Sequence, residues 1–323
     1  MTRNRHAVTV VVTSFNREEC LGPSIESVLN SSFEEFELLV IDDTSTDASV
    51  EIARSYAKLD PRVTVIVNES NLGQFANRNR AIELVESPLL KYHDSDDLMY
   101  PHCLATMVEL LEAEPEAGFT LSAGRYWPGG PCPMLLSPRL AYEREFLGGG
   151  LFFCSPSGAL FRTEVLRELG GFPERGVASD YCFWLKACVH QSVLLVPADL
   201  FWYRVHLGQE YHSAAARRDY ALAAGEGWKA LNAADCPLQD NSLATAKRNC
   251  LRVLLKVCLR DVRSGQWSLV RTRLRHAGVG WRDWIRFAPW GSRNVVAGTP
   301  LDGDGQYQLP DWLRLDPSRR SKR

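Results

Sequence analysis

The sequence has no apolar run approaching the roughly 18 residues that a membrane-spanning helix needs. Its best candidates are residues 8–12 and 253–259, and Lys256 interrupts the second. The basic N-terminal stretch is followed only by that first run, which is short for a secretory leader. The expectation is a cytoplasmic protein, at most peripheral to the inner face of a membrane. Cysteine is too sparse for a disulfide-built scaffold: nine in 323 residues, an odd number, none in a Cys-x-x-Cys pair. That argues for a reduced compartment and against a four-cysteine zinc site. No G-x-G-x-x-G follows the first apolar run, and no G-x-x-x-x-G-K-[ST] occurs anywhere. A dinucleotide-dependent oxidoreductase and a P-loop NTPase are both disfavoured. A diphosphate, if bound, would be held by a metal ion instead of a glycine-rich loop.

What is present is ordinary globular material, 45% apolar and 24% charged, long enough for about two domains. The net charge of −2 hides a split. Residues 1–210 hold 17 basic and 29 acidic side chains, whereas residues 211–323 hold 20 and 10. Six of the nine tryptophans also fall in the second part. Two units are expected, with a boundary near residue 210.

In the first unit, strand-like and helix-like patterns alternate. β-Branched or apolar runs at 8–13, 36–41, 63–67 and 89–93 read as buried strands. Between them, 18–30, a segment capped by Asp47, and 73–86 carry helical periodicity, and Pro101 opens a helix to about residue 112. Such βαβ repetition implies an α/β fold, a mostly parallel sheet with helices on both faces. Ligands of these sheets bind beyond the carboxyl ends of the strands. There the chain carries Ser14-Phe15-Asn16, Asp42-Asp43 and Asp94-Ser95-Asp96-Asp97. Each cluster alone reads as turn and cap chemistry; three at one edge suggest a site. In extended backbone Asp94 and Asp96 would project together. Grouped carboxylates favour a cation beside them, and oxygen ligands suit Mg²⁺ or Mn²⁺ with phosphate oxygens completing the shell.

The ordered text Val10-Val11-Val12-Thr13-Ser14-Phe15-Asn16-Arg17, Ser24-Ile25-Glu26-Ser27-Val28-Leu29, residues 36–47, Asn71-Leu72-Gly73, Arg78-Asn79-Arg80-Ala81-Ile82 and Asp94-Ser95-Asp96-Asp97 resembles the N-terminal half of a family 2 glycosyltransferase with the GT-A fold. Later matches are Ser157-Gly158-Ala159-Leu160-Phe161-Arg162, Gly170-Gly171-Phe172, Ser179-Asp180-Tyr181 with Trp184, and Tyr203-Arg204 with His206. They cover about two thirds of the chain in family order.

The resemblance implies a metal-dependent, inverting transfer of a sugar from a nucleotide-sugar, a UDP-sugar first, to an acceptor hydroxyl in polysaccharide, glycolipid or other glycoconjugate synthesis. It puts Thr13, Ser14, Phe15 and Asn16 at the nucleotide, Phe15 stacking on the base and Asp43 on the uracil edge. It puts Arg78, Asp94 and Ser95 around the donor, and Asp96 on Mn²⁺ or Mg²⁺ as part of a D-x-D motif, with Asp97 behind it. His206, or less favourably His212, would touch the metal or diphosphate. Asp180 would be the catalytic base, and the residues alone also read it as a helix N-cap. Three positions depart from the family pattern. Thr44 replaces a glycine, and β-branching disfavours positive φ there. Ser179 and Cys182 replace acids on either side of Asp180. The Gln-x-x-Arg-Trp signature of processive members is absent after Gln209, which favours single transfer. The Gly- and Pro-rich stretch 124–150 is expected to be a loop bordering the acceptor cleft.

In the second unit, Arg248, Arg252, Lys256 and Arg260 recur every four residues, opposite Leu251, Leu254, Leu255, Cys258 and Val262. Arg271, Arg273, Arg275 and Trp281 to Phe287 follow. This reads as a helical extension with a solvated basic face. Other fits are an anionic lipid surface or a lipid-linked or phosphate-bearing acceptor. No motif supports nucleic acid. Two other readings of the chain remain open: a non-catalytic GT-A-like domain that binds sugar or a partner, and a sugar-phosphate nucleotidyltransferase, which would want a Gly-rich first loop.

Overall fold

The computed structural model describes residues 6–122, 132–176, 178–198, 200–206 and 214–287. Strand β1 (Val8–Ser14) is followed by α1 (Glu18–Leu29), β2 (Phe36–Asp42), α2 (Ser49–Leu59), β3 (Val63–Val67), α3 (Gln74–Leu84) and β4 (Leu89–Asp94). After the short β5 (Leu98–Met99) come α4 (Cys103–Ala113), β6 (Ala117–Ser122), β7 (Met134–Leu136), α5 (Pro138–Leu147), β8 (Ala159–Arg162), α6 (Thr163–Glu168), α7 (Ser179–His190), β9 (Ser192–Val196) and β10 (Phe201–Trp202). Four helices close the described chain: α8 (Ala214–Asn232), α9 (Asp240–Arg263), α10 (Trp267–Ala277) and α11 (Trp281–Arg286).

Eight strands form one sheet in the order β3-β2-β1-β4-β8-β6-β9-β7, and β5 pairs with β10 in a separate two-stranded ribbon. The pairs β1–β2, β1–β4 and β2–β3 are parallel, while β8 runs antiparallel to both its neighbours. The order reverses between β1 and β4, which opens the crevice where such sheets bind ligands. Register fixes what stands there: Thr13 lies opposite Asp94, and Ser14 opposite Asp42. Alternation along each strand feeds two cores. Val8, Val10, Val12, Leu38 and Val40 pack in one. Val11, Leu39, Ile41, Leu90 and Tyr92 pack in the other, with Phe161, Phe172 and Trp184.

Local chemistry sets the helix starts. Asp47 accepts from the Ser49 amide at 3.0 Å, and from the Glu18 amide at 3.0 Å, while Glu18 accepts from the Ala48 amide at 2.9 Å. The N-termini of α1 and α2 are therefore tied to each other. Helix α3 starts after Gly73, whose φ of 86° any Cβ would strain. The stretch 124–150 is not all loop: residues 123–131 lie outside the described ones, but β7 and α5 follow. Ser137 caps α5 by accepting from the Leu140 amide, Pro138 opens it, and burial of Ala141 and Tyr142 outweighs its weak periodicity. Asp180 is not an N-cap; Ala178 holds that place and Asp180 lies in the first turn of α7.

The boundary expected near residue 210 and His212 lie outside the described residues. Beyond them, α9 packs on α5, α8 on α7, and α10 on α8 and α9. Leu251, Leu254 and Cys258 of α9 join the core that holds Trp184, each buried leucine contributing roughly 1.5–3 kcal/mol. Arg248, Lys256 and Arg260 are exposed and Arg252 half-buried, so the basic stripe faces water. Arg273 does not belong to a surface patch: it is buried, 2.5 Å from Asp261, in an ion pair joining α9 to α10. Among the described residues no helix is long and apolar enough to cross a membrane.

Removing one partner of such a pair leaves a buried charge. Arg273→Met is expected to lower stability by about 3–5 kcal/mol, read as the shift in a urea unfolding curve. The Asp261→Leu/Arg273→Met double variant is expected to lose less than the single one.

Candidate active site

The aspartate cluster after β4 is a turn, closed by the Asp97 amide donating to the Asp94 carbonyl at 3.0 Å. Extended alternation ends at Asp94, so Asp94 and Asp96 do not share one set of neighbours as strand geometry predicted. Asp94 pairs with Arg78 of α3 and accepts from the Ser155 hydroxyl at 2.7 Å. Its amide donates to the Ser157 hydroxyl oxygen at 2.8 Å. Burial opposes its ionisation, but the Arg78 charge and the hydrogen bonds from Ser155, Ser157 and Arg78 outweigh it and hold the carboxyl below its usual range. Arg78, expected at the donor, is thus buried and committed to Asp94.

Asp96 has different partners. Its carboxylate lies 2.9 Å from His206 Nε2 and 3.8 Å from Arg17 Nε. The backbone behind it is stapled to the segment after β10: Arg204 Nε donates to the Asp96 carbonyl at 2.8 Å, and the Arg204 amide donates to Asp97 at 3.1 Å. Asp97 is buried, and burial, then the Asp94 charge, pushes its pKa up to about 8. Ser95 is buried between them. Among the described residues no three or more His, Cys, Asp or Glu side chains surround one metal position. The Asp96–His206 pair nevertheless fits a cation whose shell is completed by phosphate: one carboxylate and one imidazole suit Mn²⁺, and Mg²⁺ uses one or two carboxylates.

On the other side of the crevice, the end of β1 leaves Thr13 half-buried, Ser14 buried, and Phe15 and Asn16 exposed. The Ser14 hydroxyl is buried and has no hydrogen-bond partner among the described residues. Phe15 is 45% exposed, as a ring that stacks on a base must be. Asn16 accepts from the Thr46 amide at 2.9 Å, tying the β1 loop to the β2 loop. Asp43 is buried and accepts from Asn68 Nδ2 at 2.6 Å, the Leu72 amide at 2.9 Å and the Gly73 amide at 2.8 Å. Of about four lone-pair sites on a carboxylate, three already organise the loop before α3, so about one remains for a base. Thr44 keeps a positive φ of 65° despite its β-branching. Its hydroxyl donates to the Asp43 carbonyl at 2.5 Å, and Asp42 holds the next residue through the Ser45 amide at 2.7 Å and hydroxyl at 2.6 Å. The turn expected to differ is instead over-determined.

Asp180 is half-buried, and burial pushes its pKa up to about 7. The Tyr181 amide, donating to it at 2.7 Å, and the Arg78 charge oppose that rise, whereas Asp94 adds to it. The base candidate thus shares one electrostatic neighbourhood with the donor candidates. Both departures beside it have structural work. Ser179 donates to the Gly176 carbonyl at 2.6 Å and accepts from the Arg175 amide at 2.9 Å. Cys182, turned roughly 200° from Asp180 around the helix, lines a cavity of about 270 Å³ with Ala178, Asp219 and His276, behind α7.

Sequence reasoning missed the segment that lies between Asp94 and Asp180. Glu145 accepts the Leu151 and Phe152 amides at 2.6 and 2.9 Å, Trp184 Nε1 donates to the Cys154 carbonyl at 2.9 Å, and Ser155 follows on Asp94. Lys91, wholly buried in β4, donates to the Ser157 carbonyl at 2.5 Å. A lysine inside an apolar strand pattern was the one signal available for it.

The profile of Glycosyl transferase family 2 matches residues 9–170. The putative glycosyltransferase EpsH of Bacillus subtilis is 28% identical over 212 residues, covering 62% of this chain and 61% of that protein. The chain spans between 21% and 66% of the length of the curated relatives it matches. In fold it is similar to S. aureus TarS 1–349 in complex with UDP-GlcNAc, at 20% identity and a TM-score of 0.57, over 87% of this chain and 78% of that one. It is also similar to the mannosyltransferase PcManGT from Pyrobaculum calidifontis in complex with GDP-Man and Mn²⁺, at 20% identity and a TM-score of 0.56, over 85% and 86%.

Asp43→Ala strips three donors of their acceptor. The expected cost is about 2 kcal/mol, measured by thermal or urea unfolding, together with weaker nucleotide binding by calorimetry.

Proposed function

This chain belongs to glycosyl transferase family 2 and has the GT-A fold, and from that premise we propose that it transfers a sugar from a UDP-sugar to an acceptor hydroxyl with inversion, Asp180 being the base. The observation that carries the reading is that Asp180 on α7 and Asp94 at the end of β4 bear on the same Arg78 guanidinium. This supports a reading in which base and donor site share one crevice.

Thr13, Ser14, Phe15, Asn16 and Asp43 line the side where the nucleoside binds, Phe15 stacking on its base. Arg78, Asp94 and Ser95 shape the donor pocket through the Asp94–Ser155 contact. Asp96 and His206 would hold Mn²⁺ or Mg²⁺, which supplies Lewis-acid stabilisation of the leaving diphosphate. Asp180 takes the proton of the acceptor hydroxyl as its oxygen attacks the anomeric carbon from the face opposite the diphosphate, so the configuration inverts. A carboxyl with a pKa near 7 is a stronger base than an ordinary aspartate and is still about half ionised at neutral pH. The acceptor belongs to a polysaccharide, glycolipid or other glycoconjugate, and the exposed stripe of α9 suits an anionic surface nearby. The rival binding-module reading draws nothing from Ser179, whose hydroxyl is bonded within the turn that opens α7.

Asp180→Asn is expected to lower transfer by about 10²–10⁴-fold with donor affinity unchanged; equal loss of affinity contradicts the role. Because the base works deprotonated, kcat/KM should rise with pH and level off above about 7. UDP with Mn²⁺ should raise the melting midpoint of the wild type, and Asp96→Asn should abolish that rise.

A further inference from the structure

We propose that Phe153 is the platform on which the acceptor lays a pyranose ring, so that the acceptor is a sugar and not a polyol phosphate. The inference rests on the reading of Asp180 as the base and adds the substrate class to it. Phe153 is 68% exposed. It is not a loose side chain, however. Its ring stacks on Tyr181 with centroids 4.8 Å apart and planes 26° from parallel. Tyr181 is itself buried, its hydroxyl donating to Glu145 at 3.2 Å.

The backbone on either side is equally fixed. Glu145 accepts the amides of Leu151 and Phe152, Phe152 is wholly buried, and Trp184 holds the Cys154 carbonyl. Two residues on, Ser155 is bonded to Asp94. One segment therefore carries an exposed aromatic face at Phe153 and a donor-site contact at Ser155, and the ring lies on the residue that follows Asp180. An aromatic ring left in water costs hydration without helping the fold, and an immobilised one loses little entropy when a ligand covers it.

The ligand that satisfies both neighbours has a C–H face for the ring and a hydroxyl edge for the base. A pyranose has both. A linear polyol phosphate lacks the flat face, and its charge would approach the carboxyl groups of Asp180 and Glu145.

The test uses the full chain with 4-fluorophenylalanine at position 153 alone, observed by ¹⁹F NMR with UDP and Mn²⁺ present. The titrants are methyl β-D-glucopyranoside, methyl β-D-galactopyranoside, methyl α-D-mannopyranoside, methyl N-acetyl-β-D-glucosaminide and ribitol 5-phosphate. A saturable displacement of the resonance by at least one pyranoside, and none by ribitol phosphate, supports the platform. No displacement by any pyranoside, or an equal one by ribitol phosphate, overturns it. In steady-state transfer to the pyranoside that binds, Phe153→Ala should raise the acceptor KM about tenfold without raising the donor KM, and Phe153→Trp should restore it. An acceptor KM unchanged by Phe153→Ala overturns the proposal. A wild type that transfers sugar while the resonance stays still contradicts the platform alone. One that shifts the resonance yet consumes no nucleotide-sugar contradicts the assignment of Asp180 and leaves the ring contact standing.

Discussion

The turn from Asp94 to Asp97 is clamped from both sides, and the geometry of the crevice depends on that clamp. Arg78 and Ser155 hold Asp94 from the α3 side. Arg204 and His206 hold Asp96 and Asp97 from the chain after β10. The β5–β10 ribbon makes the second attachment continuous, because it joins the residues just beyond each end. A carboxylate and an imidazole therefore stand 2.9 Å apart at the end of the turn.

The same packing that stabilises the chain tunes its chemistry. Helix α7 is pinned by Trp184, Phe183 and Tyr181, and α8, α9 and α10 close over the core behind it. Burial of Asp180 lifts its pKa to about 7. Burial costs a carboxylate stability in its charged form, yet it brings the proton affinity to a useful value at neutral pH.

Most of the sheet was legible because its strands are β-branched runs of fixed length separated by caps and turns. The edge that carries Ser14, Asp43 and Asp94 followed from topology alone. The helix α5 was not legible, since its periodicity is weak and its stability comes from burial of Tyr142 and from a Ser137 cap. Thr44 misled because intrinsic φ preference was overruled by the bonds of Asp42, Asp43 and Asn16 around it. Arg273 misled in the opposite way: an arginine in a basic stretch turned out to be buried against Asp261. Pairings such as Arg78 with Asp94, or Glu145 with the 151–152 amides, are long-range or turn contacts that leave no mark in a single sequence.

The central claim is that a divalent cation at Asp96 and His206 faces Asp180 across one crevice. Its most direct test is a crystal structure of the chain with UDP and Mn²⁺, read by manganese anomalous scattering. The account predicts one anomalous peak bonded to the Asp96 carboxylate and to His206 Nε2, bridging the diphosphate, with the Asp180 carboxylate across the same cavity. A peak elsewhere, or a diphosphate separated from Asp180 by intervening protein, would contradict it.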